Sequence, residues 1–318
     1  MQLDKIEDIA ILGTGTMAPG IAQLCAHSGY RVAMWGRTSA SLDRGFSRLQ
    51  SNLQTFRENH LIEKGDDELV LSRIEGVTAL DEAVRHADFV IESVAEDLSL
   101  KKSIFAELDR ICHKDAILST NTSGLSVTAI ASATSRPQKV IVTHFWNPPH
   151  LMPLVEIVGG EKTAKETIEV TMQLMKGIGK TPVLVHKEVP GFIGNRLQFA
   201  LLREALYIVE QGIASMEDVD TAVKMSFGRR LPVTGPLETA DLGGLDIFLA
   251  VSEYIMKDLC RSDKPSPLLV DAVNEGRLGA KSGRGLYERS PETTNQLVKA
   301  REQELIRFLK QDRAKGVE

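Results

Sequence analysis

An apolar strand followed by a glycine turn and a helix start lies within the first 30 residues of the chain. Four apolar residues, 9–12, precede Gly13-Thr-Gly15-Thr-Met-Ala18, and apolar spacing predicts a helix from there to about Ser28. Gly13 permits the tight turn, Gly15 lets the backbone approach phosphate, and the small Ala18 lets helix and strand pack. Free N–H groups at the helix start favour anions. We therefore predict a dinucleotide site, with cofactor-binding residues Gly13, Gly15, Thr16, Met17 and Ala18.

The end of the next strand indicates which dinucleotide is bound. Residues 31–35 form this predicted strand, and Gly36, Arg37 and Thr38 follow it. An Asp or Glu usually stands at that position in NAD enzymes, where it binds the ribose 2′-hydroxyl. A glycine beside an arginine and a hydroxyl favours NADP, because these groups can bind a 2′-phosphate. Use of NAD without the acid, with Arg37 in solvent, remains the alternative. All three residues are predicted cofactor contacts.

Strands alternate with helices through the first part of the chain. Strands are predicted at 73–77, 89–92, 116–120, 139–144, 154–158 and 182–185, and helices at 39–63, 98–112, 127–132 and 164–178. This alternation predicts an α/β fold with a Rossmann-type, doubly wound parallel sheet. We assign residues 1–187 to this dinucleotide-binding domain.

Beyond Pro190 the strand signal stops. Helical apolar spacing covers 192–211, 216–225 and 247–259, which predicts an all-helical C-terminal domain over 188–318. A last, highly charged helix begins after Ser290, with Pro291 at its first position. Its thin apolar stripe, Val298, Leu305 and Leu309, is expected to dock either on the body of the protein or on a partner subunit.

Composition excludes several classes of partner. The chain has 318 residues, enough for two domains, and a net charge of −5, so nothing points to nucleic acid or an anionic membrane. Cys25, Cys112 and Cys260 show no metal or disulfide spacing, which is typical of a reduced protein. The N-terminus lacks the apolar run of a signal peptide, and no apolar stretch is long enough to span a bilayer. We expect a cytoplasmic protein without a metal site.

A histidine and a glutamate are the candidate proton-transfer pair. His144 ends the apolar strand 139–144, and Glu156 lies in the next predicted strand after a short loop. A histidine can take a hydroxyl proton as hydride leaves the same carbon, and a carboxylate can hold the imidazole in one tautomer. Taken alone, His144 could equally be a core histidine. With the dinucleotide site, the pair indicates a dehydrogenase.

A serine lies at the carboxyl end of another predicted strand. Ser123 follows the strand 116–120 at the edge where ligands of such sheets bind. We expect its hydroxyl to bind the substrate oxygen. It could also cap the following helix, although Ser126 is the better candidate for a pure cap.

With these motifs in order, the chain resembles the 3-hydroxyacyl-CoA dehydrogenase family over about residues 5–287. The resemblance is carried by the glycine turn and by Glu92-Ser-Val-Ala-Glu96, Ser119-Thr-Asn121-Thr-Ser123, Thr143-His144-Phe-Trp-Asn147-Pro, Pro190-Gly-Phe-Ile-Gly-Asn195-Arg196 and Gly235-Pro-Leu-Glu238. It implies NAD(P)-dependent interconversion of L-3-hydroxyacyl-CoA and 3-oxoacyl-CoA, as in fatty acid metabolism.

The resemblance also implies roles for individual residues. The catalytic set is His144 as base, Glu156 as its partner, Ser123 on the substrate oxygen and Asn195 as a substrate-positioning group. Residues implied around the nicotinamide ribose and amide are Glu96, Lys101, Asn121, Ser123 and Asn147. On the sequence alone, Glu96 and Lys101 read equally well as a solvated helix start, and Asn195 as a local backbone binder.

Two features depart from the usual members of the family. Asn147-Pro-Pro-His150-Leu and the charged C-terminal helix are similar to a branch that includes lambda-crystallin-like gulonate, carnitine and pyridine-carboxylate dehydrogenases, several of which use no CoA. The alternative function is therefore the same chemistry on a CoA-free polar hydroxy acid or aromatic carbinol. A non-catalytic, crystallin-like dinucleotide binder is disfavoured, since His144, Glu156, Ser123 and Asn195 are all present.

Further side chains leave alternatives open. CoA enzymes of the family contact the nucleotide tail from the stretch near residues 50–65, where Arg57, His60 and Lys64 are interleaved with Glu58 and Glu63. His150 could touch a substrate carboxylate or line a loop. Arg229 and Arg230 could bind an anionic tail or face solvent.

Apolar positions in the helical domain suit either a subunit contact or an internal core. The resemblance favours a homodimer formed through this domain. The positions concerned are Leu201, Leu202, Ala205, Ile208 and Val209.

Overall fold

The computed structural model describes residues 3–315, and its centre is one eight-stranded sheet. The strands lie in the order β3-β2-β1-β4-β5-β6-β7-β8. Their bounds are β1 Asp8–Leu12, β2 Arg31–Trp35, β3 Ile74–Val77, β4 Phe89–Glu92, β5 Ile117–Thr120, β6 Val140–Phe145, β7 Leu154–Gly159 and β8 Thr181–Val185. The predicted α/β, doubly wound architecture is confirmed.

The strand order reverses at β1, which pairs in parallel with β2 on one side and β4 on the other. In open α/β sheets, ligands bind at the carboxyl ends of the strands beside such a switch point. The strands β4, β5 and β6 are buried along their whole length. Burial on both faces follows from helices that cover both sides of a parallel sheet.

The last two strands depart from the predicted parallel sheet, because β8 runs parallel to β7 and both run opposite to β6. β7 runs antiparallel to β6, and the register places His144 opposite Glu156. The connection between the two strands contains no helix. A parallel pair needs a long crossover, whereas a short connection can return the chain only antiparallel. The antiparallel pair therefore puts the two predicted catalytic side chains opposite each other on adjacent strands.

Helices cover both faces of this sheet. Their bounds are α1 Ala18–His27, α2 Ser39–Glu58, α3 Asp66–Ser72, α4 Leu80–Val84, α5 Leu98–Ile111, α6 Val127–Ala131 and α7 Lys165–Gly177. Helices α1, α2, α3 and α7 contribute to one apolar core, and α4, α5 and α6 to the other. The helix predicted over 39–63 ends at Glu58, because Asn59 caps it and His60 has a φ of 54°. Sequence periodicity missed α3.

The second part of the chain is helical, as predicted. Its helices are α8 Gly194–Glu210, α9 Met216–Met225, α10 Pro236–Gly243, α11 Leu245–Asp258 and α12 Pro267–Asn274. The chain divides into two compact units, one of residues up to 194 together with those from 300 on, the other of residues 195–299. The domain boundary proposed at residue 187 stays a prediction.

The final helix, α13 (Pro291–Ala314), returns to the first unit from Ala300 onward. Ile306 is buried in a cluster with Phe56, Leu61 and Leu151, and Leu305 and Leu309 pack against the same cluster. Arg313 donates a hydrogen bond of 2.6 Å to the carbonyl of Leu61. This part of the apolar stripe thus docks on the body of the protein. Within residues 3–315, no helix has the length and apolar character needed to cross a bilayer.

Candidate active site

The glycine turn lies at the switch point of the sheet. Gly13 has a φ of 124°, and a Cβ built on it would lie 2.7 Å from the carbonyl oxygen of Ser93, just after β4. Only glycine fits both the backbone conformation and the close approach. The turn is therefore held directly against the end of β4.

The next residues leave open space for a ligand. A Cβ built on Gly15 would meet no atom within 4 Å, and Thr16 is exposed. The N-cap Met17 makes no side-chain cap, so the first N–H groups of α1 are not capped by the protein. Ala18 is fully buried where helix and strand pack. An open cradle at an uncapped helix start fits the pyrophosphate of a dinucleotide.

After β2, the backbone at Gly36 is closely packed, whereas the next residue, Arg37, is exposed. A Cβ built on Gly36 would lie 2.8 Å from Ser41 Oγ and 2.9 Å from Thr14 Cγ2. The Thr38 hydroxyl accepts the backbone N–H of Ser41 at 3.2 Å and caps α2. Arg37 is exposed, and within the described part of the chain no ion pair engages it. Of the three residues predicted to recognise the adenosine end, Arg37 is the one with a cationic side chain available.

The His144–Glu156 pair is built across the antiparallel strands. His144 Nδ1 lies 2.8 Å from Glu156 Oε2 in a buried environment. The other carboxylate oxygen, Oε1, accepts the backbone N–H groups of Ile193 at 2.8 Å and Gly194 at 2.9 Å. The indole Nε1 of Trp146 donates to Oε2 at 3.2 Å. Glu156 is therefore a fully hydrogen-bonded carboxylate.

These contacts set the charge and the tautomer of the pair. Burial by itself would raise the pKa of the Glu156 carboxyl, but the hydrogen bonds from His144, both backbone N–H groups and Trp146 outweigh burial and lower this pKa. An ionised Glu156 keeps the proton of His144 on Nδ1 and leaves Nε2 as the acceptor. The rings of Trp146 and Phe192 pack against the imidazole at centroid distances of 5.8 and 5.5 Å. The arrangement can accept one proton at Nε2.

Ser123 is fixed at the carboxyl end of β5 through its backbone. Glu96 Oε1 accepts the N–H of Ser123 at 2.9 Å and the hydroxyl of Thr122 at 2.5 Å. Asn121 connects three strand ends, since its Oδ1 accepts the N–H of Phe145 at 2.8 Å and its Nδ2 donates to Ser93 Oγ at 3.0 Å. Asn121 thus has a structural task besides its predicted contact with the cofactor. Ser126, as expected, caps α6.

Lys101 faces carboxylates. It is 1% exposed, and its Nζ lies 2.7 and 2.9 Å from the two oxygens of Glu92 and 3.4 Å from Glu96 Oε2. Glu92 also accepts the Thr120 hydroxyl at 2.6 Å and the N–H of Val94 at 2.7 Å. The sequence motif contains Glu92 but does not by itself give it a role. The signal for one is that an acid ending the apolar run Phe-Val-Ile of a central strand needs a buried partner.

Two residues predicted for the site, Asn147 and His150, lie in the loop after β6, and they differ in exposure. Asn147 is exposed, and its bond to Pro148 is cis. His150 is buried against Phe56, with ring centroids 5.7 Å apart, and its Nδ1 has no hydrogen-bond partner among the described residues. Burial, reinforced by the charge of Lys180, lowers the pKa of His150 to about 4. A neutral, buried imidazole fits the loop-lining alternative better than a contact with a substrate carboxylate.

The remaining predicted residues lie on α2, in the turn after it and in the helical unit. Arg57 forms an ion pair of 2.7 Å with Asp67, while His60 and Lys64 are exposed. In the helical unit, Asn195 is the second residue of α8, and Arg229 and Arg230 are exposed. The roles predicted for these residues stay predictions.

Comparison with known proteins places the whole chain in one family. Residues 8–189 match the model of the 3-hydroxyacyl-CoA dehydrogenase NAD-binding domain, and residues 191–289 match the C-terminal domain of the same family. A 5-formyl-3-hydroxy-2-methylpyridine 4-carboxylate 5-dehydrogenase of Mesorhizobium japonicum is 36% identical over 95% of this chain and 96% of its own length. A probable 3-hydroxybutyryl-CoA dehydrogenase of Bacillus subtilis is 39% identical over 91% of this chain and 100% of its own.

Solved structures agree with the sequence relatives. The crystal structure of a 5-formyl-3-hydroxy-2-methylpyridine 4-carboxylic acid 5-dehydrogenase, described as an NAD⁺-dependent dismutase, has a TM-score of 0.89 at 35% identity and covers 96% of this chain and 99% of its own. The (S)-3-hydroxybutyryl-CoA dehydrogenase of Ralstonia eutropha has a TM-score of 0.76 at 36% identity and covers 90% of this chain and 100% of its own. With its NAD-binding domain and this set of relatives, the chain belongs to the 3-hydroxyacyl-CoA dehydrogenase family, oxidoreductases that act on a CH–OH group.

Proposed function

We propose that this protein interconverts an alcohol and its carbonyl compound by hydride transfer, with His144 as the general base. The observation that carries the proposal is the 2.8 Å contact between His144 Nδ1 and Glu156 Oε2. It leaves Nε2 free of the proton, so that Nε2 can take the hydroxyl proton of the substrate. The ionised Glu156 stabilises the imidazolium that results, and the same group returns the proton when the ketone is reduced.

The nicotinamide cofactor, when bound, supplies or accepts the hydride. The residues that would hold its pyrophosphate are those of the glycine turn and the start of α1. Glu96, Asn121 and Asn147 are the candidates for the nicotinamide ribose and amide. Lys101 is proposed to act there through the carboxylate of Glu96, because its amine lies 3.4 Å from Glu96 Oε2 and is buried. Ser123 and Asn195 are proposed to bind the substrate oxygen and to position the substrate.

Removal of the base separates chemistry from binding. We expect His144→Gln to lose at least about 1,000-fold in turnover while cofactor binding, followed by quenching of protein fluorescence, stays within about twofold of wild type. A control variant, His86→Gln, lies in the exposed bend after α4 and should keep full turnover. Comparable turnover of His144→Gln and wild type would exclude His144 as the base.

The substrate belongs to one of two classes, an L-3-hydroxyacyl-CoA ester or a CoA-free hydroxy acid or aromatic carbinol. We favour the CoA-free class. The family resemblance assigns the nucleotide tail of CoA to the stretch near residues 50–65. Here Phe56 and Leu61 of that stretch are covered by Ile306 of α13, and Arg57 is engaged by Asp67. A cradle for a CoA nucleotide needs free cations and open surface; His60 and Lys64 stay exposed in this stretch, but the apolar surface beside them is covered.

Structural similarity supports the same choice. The pyridine-carboxylate dehydrogenase structure has a TM-score of 0.89 to this chain, whereas the (S)-3-hydroxybutyryl-CoA dehydrogenase reaches 0.76 and a 3-hydroxyacyl-CoA dehydrogenase of Archaeoglobus fulgidus reaches 0.67, although the latter covers 98% of this chain. That pyridine substrate is named for a formyl group and a carboxylate. An aldehyde hydrate presents the same CH–OH group as an alcohol, so His144 could serve both.

A substrate panel tests this choice. We would measure initial rates with NADH and NADPH on acetoacetyl-CoA, and with NAD⁺ and NADP⁺ on gulonate, carnitine and hydroxymethylpyridine carboxylates. The CoA-free class is supported if one of these acids exceeds acetoacetyl-CoA by about 100-fold or more in kcat/KM. A preference for acetoacetyl-CoA would overturn it and place the protein in acyl-CoA metabolism, such as that of fatty acids.

We further propose that NADP is preferred over NAD, although NAD fits the same domain. The support is the missing acid at Gly36 and the exposed Arg37, which could pair with a 2′-phosphate. Gly36→Asp is not a suitable test of cofactor preference, because any side chain at residue 36 would collide with Ser41 and Thr14. Arg37→Gln should raise KM for NADPH by about tenfold or more and leave KM for NADH unchanged. Equal changes for both cofactors would refute the preference.

A homodimer formed through the helical unit is also proposed. That unit exposes many large apolar side chains, which a monomer rarely shows as a contiguous patch. Among the positions predicted for the contact, Leu201 is exposed and the other four are half-buried. Light scattering should give about twice the chain mass, and Leu201→Glu should lower this measured mass.

We expect the protein to be cytoplasmic, in line with free thiols at Cys25, Cys112 and Cys260.

A further inference from the structure

The indole of Trp146 shares an oxygen of the Glu156 carboxylate with the imidazole of His144. Trp146 Nε1 donates to Oε2 at 3.2 Å, and His144 Nδ1 lies 2.8 Å from the same atom. The two rings lie 5.8 Å apart at 58°. Glu156 Oε2 therefore accepts hydrogen bonds from two side chains at the end of β6, His144 and Trp146.

The position of this indole is fixed from its other side. A Cβ built on Gly194 would overlap Cζ2 of Trp146, so the backbone at the start of α8 packs directly against the ring. The N–H groups of Ile193 and Gly194 bind the second oxygen of the same carboxylate. Trp146 and the 193–194 backbone thus bind the two oxygens of Glu156 and pack directly against each other.

We propose that Trp146 is a positioning residue that limits how strongly Glu156 attracts the proton on His144. A hydrogen bond from the indole withdraws negative charge from Oε2, the oxygen that faces His144. Loss of this bond would concentrate charge on Oε2 and stabilise protonated His144. The proposal rests on the proposed role of the His144–Glu156 pair.

The groups around His144 indicate that Trp146 acts on its proton affinity through the Glu156 carboxylate. Among residues 3–315, the ionisable group in contact with the imidazole is Glu156 on β7. The rings of Trp146, after β6, and Phe192, ahead of α8, also pack against the imidazole. The Glu156 carboxylate is bonded by His144, Trp146 and two backbone N–H groups. Of these donors, the indole alone can be deleted by a near-isosteric substitution.

The substitution Trp146→Phe removes the N–H and keeps an aromatic ring against His144 and Gly194. Trp35→Phe is the matched control, because the Trp35 indole also donates one hydrogen bond, to the carbonyl of Thr78 at 3.0 Å, after β3. The ring signals of His144 would be followed by NMR over pH 4 to 9 without substrate, and assigned through their loss in His144→Gln. This readout does not depend on turnover, so it separates failure of this inference from failure of the proposed function.

We expect the titration midpoint of the His144 signals to rise by about half a pH unit in Trp146→Phe and to stay in place in Trp35→Phe. Gly194→Ala, which forces the indole away from Oε2, should move the midpoint in the same direction and serves if Trp146→Phe fails to fold. An unchanged or lowered midpoint in a folded variant would overturn the inference.

Discussion

Lys101 and Glu92 form an ion pair that is sealed from solvent behind the predicted substrate serine. The ammonium lies 2.7 Å from Glu92 Oε1, and the pair is 1% and 0% exposed. Lys101 also approaches Glu96, which in turn holds the N–H of Ser123. The buried charges therefore connect the end of β4 to the backbone that carries the serine hydroxyl. Glu92 therefore supports the site through its contacts with Lys101, Thr120 and the backbone of Val94.

Removal of the buried acid should be costly. We predict that Glu92→Gln lowers the free energy of unfolding by about 3 kcal/mol, because Lys101 loses its main counter-charge in a dry environment. Urea unfolding measures this loss. The control is Asp81→Asn, which breaks the exposed ion pair between Asp81 and Arg85 and should leave stability nearly unchanged. Equal effects of the two variants would refute the structural role of Glu92.

The pH dependence of stability should report on Glu156. Its folded-state pKa lies below the ordinary value of 4.5, so it contributes stability above that pH and loses it as pH falls through the folded-state value. We predict that wild type loses more stability than Glu156→Gln between pH 5 and pH 3. Denaturant titrations of both proteins across this range give the difference. Glu161→Gln, at an exposed carboxylate, controls for the loss of one negative charge. Parallel curves for wild type and Glu156→Gln would contradict the prediction.

Some parts of the site could be predicted from the sequence and others could not, because only some of them depend on local sequence patterns. The glycine turn and the alternation of strand and helix are local signals, so the sheet and the place of the pyrophosphate could be foreseen. The opposition of His144 and Glu156 depends on the antiparallel return of β7, which follows from the short loop between β6 and β7 and not from the strand-helix alternation. The roles of Glu92 and Trp146 arise from contacts between strands and loops far apart in the chain. Such contacts leave no periodicity to detect.

A buried lysine gives a second prediction for the pH dependence of stability, at higher pH than that for Glu156. Lys180 donates to the carbonyls of Pro149 and Met152 at 2.7 and 3.0 Å, with no carboxylate in contact among the residues described. Burial, with the nearby charge of Arg313, lowers the pKa of Lys180 from 10.5 to about 7. The folded state therefore releases this proton before the unfolded state does. Stability should rise between pH 7 and pH 10 by up to about 1.4 kcal/mol per pH unit from this group.

The variant Lys180→Met isolates that contribution. The difference in unfolding free energy between wild type and Lys180→Met should move in favour of wild type as pH rises from 7 to 9. The test follows how the difference in unfolding free energy changes with pH. The loss of the two hydrogen bonds to carbonyls contributes equally at each pH and therefore cancels. Lys176→Met, in the last turn of α7, is the matched control. A pH-independent difference for Lys180→Met would show that the amine stays charged in the folded state.

The docking of the last helix can be tested at its buried residue. Ile306 is 4% exposed and packs with Phe56, Leu61 and Leu151. We predict that Ile306→Ala lowers the free energy of unfolding by about 2 to 4 kcal/mol, since the site loses buried methyl groups and leaves a cavity. Val298→Ala, earlier on the same helix and half exposed, should change it little. If the covered stretch near residues 50–65 is what excludes CoA, Ile306→Ala should also raise the rate on acetoacetyl-CoA relative to CoA-free acids. A stability loss without any change in this ratio would separate the packing of α13 from substrate choice.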